Sequence, residues 1–412
     1  MMRRLFLPIL KWKLKKLSQL TIWRYRPGII GVTGSVGKTS TKFAIAAVLS
    51  SERRVRTSRG NFNNELGLPL TILGDWDEIK GIFFWPKVFF RGIKNLIIKT
   101  EYPEILVLEY GVDRPGDMKY LLEIARPNIS VITAIGETPV HVENFPGPEE
   151  LVREKGKIID YLPTAGFAVL NRDDETVMNL RGRTRAHVMT FGFSKDAEVH
   201  IANFDHKAEN GKPLGIAFKL EYAGGFVPVR IEGVFGKAQA YAASAAAAVG
   251  IIFGLNLVKI SEALKNYRTA GGRAQLLPGV KDTYIIDDSY NASPLSMHAA
   301  LDTLQNLPGK RKIAVLGDML ELGGYAMDAH QFIGTVAAKI VDVLVTVGPR
   351  AKFIAEAARA KGMQKKNVMS FDLAEEAARP VQDLIRKGDL ILVKGSRAMQ
   401  LEKVVEEIKD RR

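Results

Sequence analysis

The stretch "GIIGVTGSVGKTSTKF", Gly28 to Phe43, decides the fold. "GIIGVTG" is a short apolar run ending in glycine, the pattern of a buried strand. "KTSTKFAIAAVLS" then reads as a helix. Between them Gly34 and Gly37 let the backbone turn tightly and point N–H groups inward. The helix N-terminus adds partial positive charge, and Lys38 adds a full one. Strand, glycine turn and helix together predict a phosphate-binding loop made by Gly34, Ser35, Gly37, Lys38, Thr39 and Ser40. Thr39 places a hydroxyl where a magnesium ion on the phosphates needs a ligand. The spelling departs from the common G-x-x-x-x-G-K-[ST], because Val32 stands where the first glycine is expected.

Outward from this loop, apolar strands alternate with helices. "EILVLEYG" (104–111), "ISVITAIG" (129–136) and "GFAVLNRDD" (166–174) read as buried parallel strands, with helices near 117–125 and 148–161. Residues 186–233, from "AHVMTFGF" to "FVPVRIEG", read as short antiparallel strands, and "GKAQAYAASAAAAVGIIFG" as an alanine-rich helix. A second α/β run starts near Gly271, with strands at 284–290, 312–319, 342–348, 367–371 and 389–396. The expected class is α/β. A P-loop ATPase domain holds a parallel sheet plus a small antiparallel section, and a Rossmann-like C-terminal α/β domain follows. The expected division is a basic amphipathic segment 1–27, a central domain 28–270 and a C-terminal domain 271–412.

The chain has 412 residues, of which 46% are hydrophobic and 25% charged, enough for two or three domains. It has no cysteine, which excludes disulfides, zinc ribbons and a cysteine nucleophile and is compatible with the cytoplasm. The net charge is +14 and uneven: residues 1–26 carry eight Lys or Arg and no Asp or Glu. Leu10, Leu14 and Leu17 line one helical face there, with Trp12 and Trp23 nearby. Two readings stand side by side, a basic amphipathic helix on an anionic membrane surface and a helix packed on the protein's own body. Nucleic acid is a poorer explanation, because the charge sits at one end and no recognition module follows.

Polar residues gather at the predicted strand ends, where ligands collect in α/β folds. Glu109 ends one strand and His141 follows the next, so a carboxylate and an imidazole could meet a metal near Thr39. Lys155 and Lys157 lie on the helix beyond. Asn61, Asn63 and Asn64 form a polar loop suited to holding a substrate or to making a turn. Asp287, Asp288, Tyr290 and Asn291 end one later strand and Asp318 another.

These pieces resemble the Mur ligase family of ATP-dependent amide-forming enzymes. The resemblance spans residues 28–412 and runs in family order: "TGSVGKTST", "NFNNELGLPLTIL", "LEYGVDRPGDM", "VHVENF", "REKGKII", "DDSYNASP", "GDMLELG" and "LVKGSRAMQLE". The family spells its loop T-G-x-x-G-K-[ST], which accounts for Val32. "DDSYNA" with "GDMLELG" points to the branch that adds D-Ala-D-Ala to a UDP-N-acetylmuramoyl tripeptide for the cell wall. The alternatives are a related amide ligase with a different envelope peptide or acceptor, and a nucleotide-binding switch without ligase chemistry, against which Lys38, Glu109, His141, Lys155 and Arg273 together argue. The resemblance implies that Lys38 and Thr39 hold the ATP phosphates and a first magnesium. Glu109 and His141 fall at magnesium-ligand positions, and Lys155 at that of a carbamylated lysine near a second magnesium. Arg273 falls at the position of an arginine reaching the γ-phosphate, and Asn291 and Asp318 at nucleotide contacts. Asn61, Asn63, Asn64, Lys394 and Ser396 are expected on the substrate side. A cytoplasmic monomer is implied, with peripheral membrane contact through residues 1–26 as a further expectation.

Three departures stand out. About 27 residues precede the first strand, where the family has a UDP-binding domain of roughly 80–100 residues. Residues 75–103, rich in aromatics and bases, read as an insertion packing on the substrate side. The family's His-Asn…Asn pattern is Ala238-Gln239…Ala242, in which Gln239 keeps one amide for adenine.

Overall fold

The computed structural model describes residues 2–410 apart from 77, 82, 138 and 210, and the side chains from residue 7 onward. Nine strands make the first sheet: β1 (Gly28–Thr33), β2 (Val55–Thr57), β3 (Ile105–Glu109), β4 (Ile129–Ile132), β5 (Phe167–Asn171), β6 (His187–Gly192), β7 (Val199–Glu209), β8 (Lys212–Tyr222) and β9 (Gly225–Glu232). Their order is β2-β3-β1-β4-β5-β6-β7-β8-β9. The pairs from β2 to β7 are parallel, and β7-β8-β9 is an antiparallel meander on the same sheet. The second sheet, β10 (Gln275–Gly279), β11 (Thr283–Asp288), β12 (Lys312–Gly317), β13 (Val343–Val347), β14 (Val368–Phe371) and β15 (Leu390–Lys394), runs β10-β11-β15-β12-β13-β14. Only β10 is antiparallel to its neighbour.

The parallel strands are buried on both faces, so they read as continuous apolar runs rather than as alternation. One expectation needs correction. "AHVMTFGF" pairs parallel with β5, and the antiparallel section begins only at Val199, with two strands of 11 residues each. In β9 the buried positions alternate with exposed ones, as for a sheet with one wet face. Two short strands, β2 and β10, carry no strong sequence signal. β2 is three half-buried residues, and β10 contains Pro278 at a sheet edge.

Helix α1 (Met2–Tyr25) lies on the first domain, against helices α3 (Gly67–Leu73) and α4 (Phe84–Ile97), and α2 (Lys38–Leu49) is the helix of the phosphate loop. Leu10, Leu14 and Leu17 are buried with Leu70, Leu73, Trp76, Phe84 and Val88. Self-packing is therefore correct for that face of α1, and fully burying a leucine contributes about 2 kcal/mol. Gly92 is the crossing point of α1 and α4. A Cβ there would meet the Leu17 side chain at 2.5 Å. Within 75–103 the main feature is α4. It rests on α1 and α3, and among the described residues none of the segment lines the main cleft, so packing on the substrate side is not what the structure has.

The two sheets face each other across a cleft, and side chains of the two domains meet beside it. Val140 and Phe235 from the first domain are buried in the core of the second. Lys237 pairs with Asp302 at 3.4 Å. The C-terminal ends of β1, β3 and β4 thereby face those of β11 and β15.

Candidate active site between two α/β domains

The loop after β1 has the backbone that its glycines require. Gly34 and Gly37 have φ values of 140° and 87°. A Cβ on Gly34 would lie 2.1 Å from the Thr133 hydroxyl. Lys38 folds back over its own loop, donating to the Gly34 carbonyl at 2.8 Å and to that of Ser35 at 3.3 Å. The buried Ser35 hydroxyl has no hydrogen-bond partner. A cradle of N–H groups with an orphaned hydroxyl and a lysine folded on itself fits an absent polyphosphate.

Glu109, at the end of β3, is buried at the centre of the site. Its Oε2 accepts from Thr39 Oγ1 at 2.9 Å and lies 3.4 Å from Lys42 Nζ, while Oε1 accepts from Asn63 Nδ2 at 3.2 Å. Burial alone would raise this carboxyl. Lys42, Lys38 and Arg273, with the Thr39 hydrogen bond, bring it below the ordinary carboxylate range instead. The predicted Thr39–Glu109 meeting is thus present. Lys42 was not foreseen as part of it. It is fully buried and also donates to Ser58 Oγ at 2.8 Å and to the Gly60 carbonyl at 3.0 Å. Its only sequence signal is a lysine one helical turn after Lys38, on the same face.

His141 lines the same cleft but is tied to other partners. Its Nδ1 is 2.7 Å from Glu321 of the second domain and its Nε2 is 3.4 Å from Asp113. Its φ of 71° is unusual for a non-glycine residue. Among the described residues no three His, Cys, Asp or Glu side chains assemble into a metal-binding group. Thr39 and Glu109 supply the oxygens at one point. That donor set suits an ion such as magnesium, which takes most of its ligands from phosphate and water.

Lys155 sits on helix α6 (Pro148–Asp160), facing the loop. It is 1% exposed, and its hydrogen bond to the Gly34 carbonyl is long at 3.4 Å. Burial and the nearby Lys38 cation push its amine down to about 7, with Asp113 opposing them. Lys157, on the same helix, pairs with Glu154 at 2.5 Å.

The second domain contributes Arg273, Tyr290, Asn291 and Lys394 to the cleft wall. The Arg273 guanidinium lies 4.3 Å from the centre of the Tyr290 ring. Lys394, almost wholly buried, pairs with Asp288 at 2.7 Å and donates to the Asn291 carbonyl. Asn61, Asn63, Ser40 and Gln239 also line the cleft. The Gln239 oxygen already accepts from Tyr267 at 2.6 Å, and Ala242 is buried in the core. Three expected residues stand apart from this wall. Asn64 accepts from the Gly67 N–H at 2.9 Å and lines a smaller hollow with Lys11, Glu65 and Tyr120. Asp318 accepts from the Ala351 N–H at 2.6 Å, within its own domain. Ser396 accepts from the Leu320 N–H at 2.9 Å.

The Lys42–Glu109 pair generates a stability prediction. Lys42→Met leaves a buried carboxylate short of its main counter-charge and is expected to cost about 3–5 kcal/mol in urea unfolding. Adding Glu109→Gln should recover a large part of that loss. Equal losses in the single and double variants would mean that the pair does not hold the site.

Comparison with known proteins gives the family. The Mur ligase middle domain matches residues 32–82 and 92–250, and the Mur ligase glutamate ligase domain matches residues 272–397. A UDP-N-acetylmuramoyl-tripeptide–D-alanyl-D-alanine ligase of Bacillus subtilis is 32% identical over 399 residues, covering 96% of this chain and 79% of its own. A structure of MurF from Acinetobacter baumannii superposes with a TM-score of 0.78 at 27% identity, over 95% of this chain and 79% of its own. MurF ligase from Thermotoga maritima, solved in complex with ADP, gives a TM-score of 0.77 at 26% identity, over 96% and 83% of the two chains. With both family domains matched in order around this cleft, the chain belongs to the Mur ligase family.

Proposed function

We propose that the cleft binds ATP and joins D-alanyl-D-alanine to the tripeptide of a UDP-N-acetylmuramoyl precursor of peptidoglycan. The observation that carries this reading is the phosphate loop, with Thr39 on Glu109, set in a chain that matches ligases of that reaction along almost its whole length. The domain division follows the same lines: a basic amphipathic segment 1–27, an ATP-binding domain 28–270 and a C-terminal ligase domain 271–412.

Ligation then takes two steps. The terminal carboxylate of the tripeptide attacks the γ-phosphorus of ATP, the bond to the ADP oxygen breaks, and an acyl phosphate forms. The amine of D-alanyl-D-alanine attacks the acyl carbon, phosphate departs with the bonding pair, and the amine loses a proton. Lys38 neutralises charge on the β- and γ-phosphates, with the loop N–H groups and Ser35 around them. Arg273 reaches in from the second domain, so the charge on the γ-phosphate is met only when the cleft is closed. Closure also excludes the water that would hydrolyse an acyl phosphate. Asn291 is read on the nucleotide side, and Asn61, Asn63 and Lys394 on the substrate side. Magnesium, held through Thr39 and Glu109 at one point and near His141 at another, would screen phosphate charge. Use of His141 would require its release from Glu321. ATP and a UDP-sugar as substrates place the protein in the cytoplasm, where we read it as a monomer.

The direct test is phosphate release from ATP, with acceptor and dipeptide supplied singly and together. Fast release is expected only with both, and Lys38→Ala should reduce it by on the order of 100-fold or more. Equal release with either substrate alone, or with another dipeptide in place of D-alanyl-D-alanine, would reject the assignment.

Lys155 we read as carbamylated in the working enzyme. A buried amine pushed down to about 7 is unprotonated in a substantial fraction at neutral pH, and only that form adds carbon dioxide. The carbamate replaces a cation beside Lys38 by an anion that can hold magnesium. Raising pH through 7 increases the unprotonated fraction, so recovery of carbon-dioxide-stripped enzyme by bicarbonate should grow over that range. Labelled bicarbonate should give a carbamate carbon signal that Lys155→Ala lacks, with activity down ~10–100-fold and partly restored by short carboxylic acids. A variant with full activity, or a wild type without that signal, would remove the carbamate.

A further inference from the structure

Helices α1 and α4 each bury one face and leave the other apolar. On α1 the face opposite Leu10, Leu14 and Leu17 carries Ile9, Trp12, Leu20 and Trp23, and Trp23 is 71% exposed. On α4 the face opposite Val88 and Gly92 carries Phe90, Ile93 and Ile97, with Phe90 71% and Ile97 75% exposed. Phe83 stands exposed at its entry and Ile98 at its exit. The two helices touch where Leu17 meets Gly92 and again where Tyr25 Oη donates to the Asn95 carbonyl. Their outward faces therefore form adjoining strips of one layer.

Charge on this layer has a single sign. Residues 1–26 hold eight Lys or Arg and residues 79–100 five, and neither stretch contains an Asp or Glu. Lys13, Lys16, Arg24, Lys94 and Lys99 lie among or beside the exposed apolar side chains, all of them accessible to solvent. None of these five forms an ion pair among the described residues, whereas Lys11 and Lys15, on the buried flank, are paired with Glu65 and Glu123. The middle-domain match begins after α1 and breaks between residues 82 and 92, inside the first half of α4. The surface lies away from the cleft, whose lining includes none of these residues.

We propose that the α1–α4 face binds the surface of an anionic lipid bilayer. Tryptophan, phenylalanine and isoleucine enter the headgroup boundary while lysine and arginine pair with lipid phosphates, the arrangement of an interfacial helix. Among the described residues no helix is long and apolar enough to cross a membrane, so the contact is peripheral. A nucleic acid would satisfy the charge but not the aliphatic strip, and a second copy of this chain would bring the same positive charge against itself.

The test is sedimentation of the full-length protein with phosphatidylcholine vesicles, with and without phosphatidylglycerol. Two variants accompany it, W12S/W23S/F90S/I97S and K13E/K16E/K94E/K99E. All substituted positions are on the surface and outside the cleft, so melting temperature and ATP turnover in solution serve as controls for folding. The expected result is binding to anionic vesicles about tenfold or more tighter than to neutral ones, weakened by salt, and lost in both variants with the controls unchanged. Absence of wild-type binding to anionic vesicles, or binding unaffected by the substitutions, would overturn the proposal. So would a concentration-dependent dimer in vesicle-free solution that the serine variant abolishes, since the face would then be an interface between copies.

Discussion

The site depends on one buried carboxylate. Glu109 is held by Thr39, Lys42 and Asn63, which arrive on two other parts of the chain. Thr39 and Lys42 come from the first turns of the phosphate-loop helix, Asn63 from the loop before α3, and Glu109 from the end of the strand beside β1. A carboxylate this deep stays ionised only because cations surround it. Its charge in turn sets the field in which Lys38, and through it Lys155, titrate.

The parallel sheet makes this meeting possible. β1 and β3 are neighbours in register, with Val32 opposite Glu109, so their C-terminal ends deliver loop and carboxylate side by side. The second sheet does the same from across the cleft through β11 and β15, where Asp288 lies opposite Lys394. His141 and Glu321 join the two halves at 2.7 Å. The same contact that joins the two halves there also occupies the imidazole.

Much of this was legible in the sequence because it rests on local constraints. Gly34 and Gly37 mark a turn that other residues resist, and apolar runs mark strands buried on both faces. The ends of those runs place Glu109, His141, Asn291 and Lys394 near the cleft. What was not legible depends on packing between distant segments. Lys42 looks like any solvated helix lysine until the loop at Ser58–Gly60 covers it. Asp318 and Ser396 sit at strand ends like the others, yet their side chains close loops within their own domain. The 75–103 segment reads as an aromatic insertion, but only the crossing at Gly92 shows that it shelters α1 rather than the cleft. The parallel pairing of β6 was hidden because its burial is graded, from exposed His187 to buried Gly192, rather than the continuous apolar run of the central parallel strands.

The central claim is that the closed cleft joins carboxylate to amine through an acyl phosphate. Labelling the acceptor carboxylate of the tripeptide with oxygen-18 tests it most directly. The account predicts that the label passes into the inorganic phosphate released during ligation, because the carboxylate oxygen that attacks phosphorus leaves with it. Unlabelled phosphate formed alongside labelled product would contradict an acyl phosphate, and with it the roles of Lys38, Arg273 and the closed cleft in forming one.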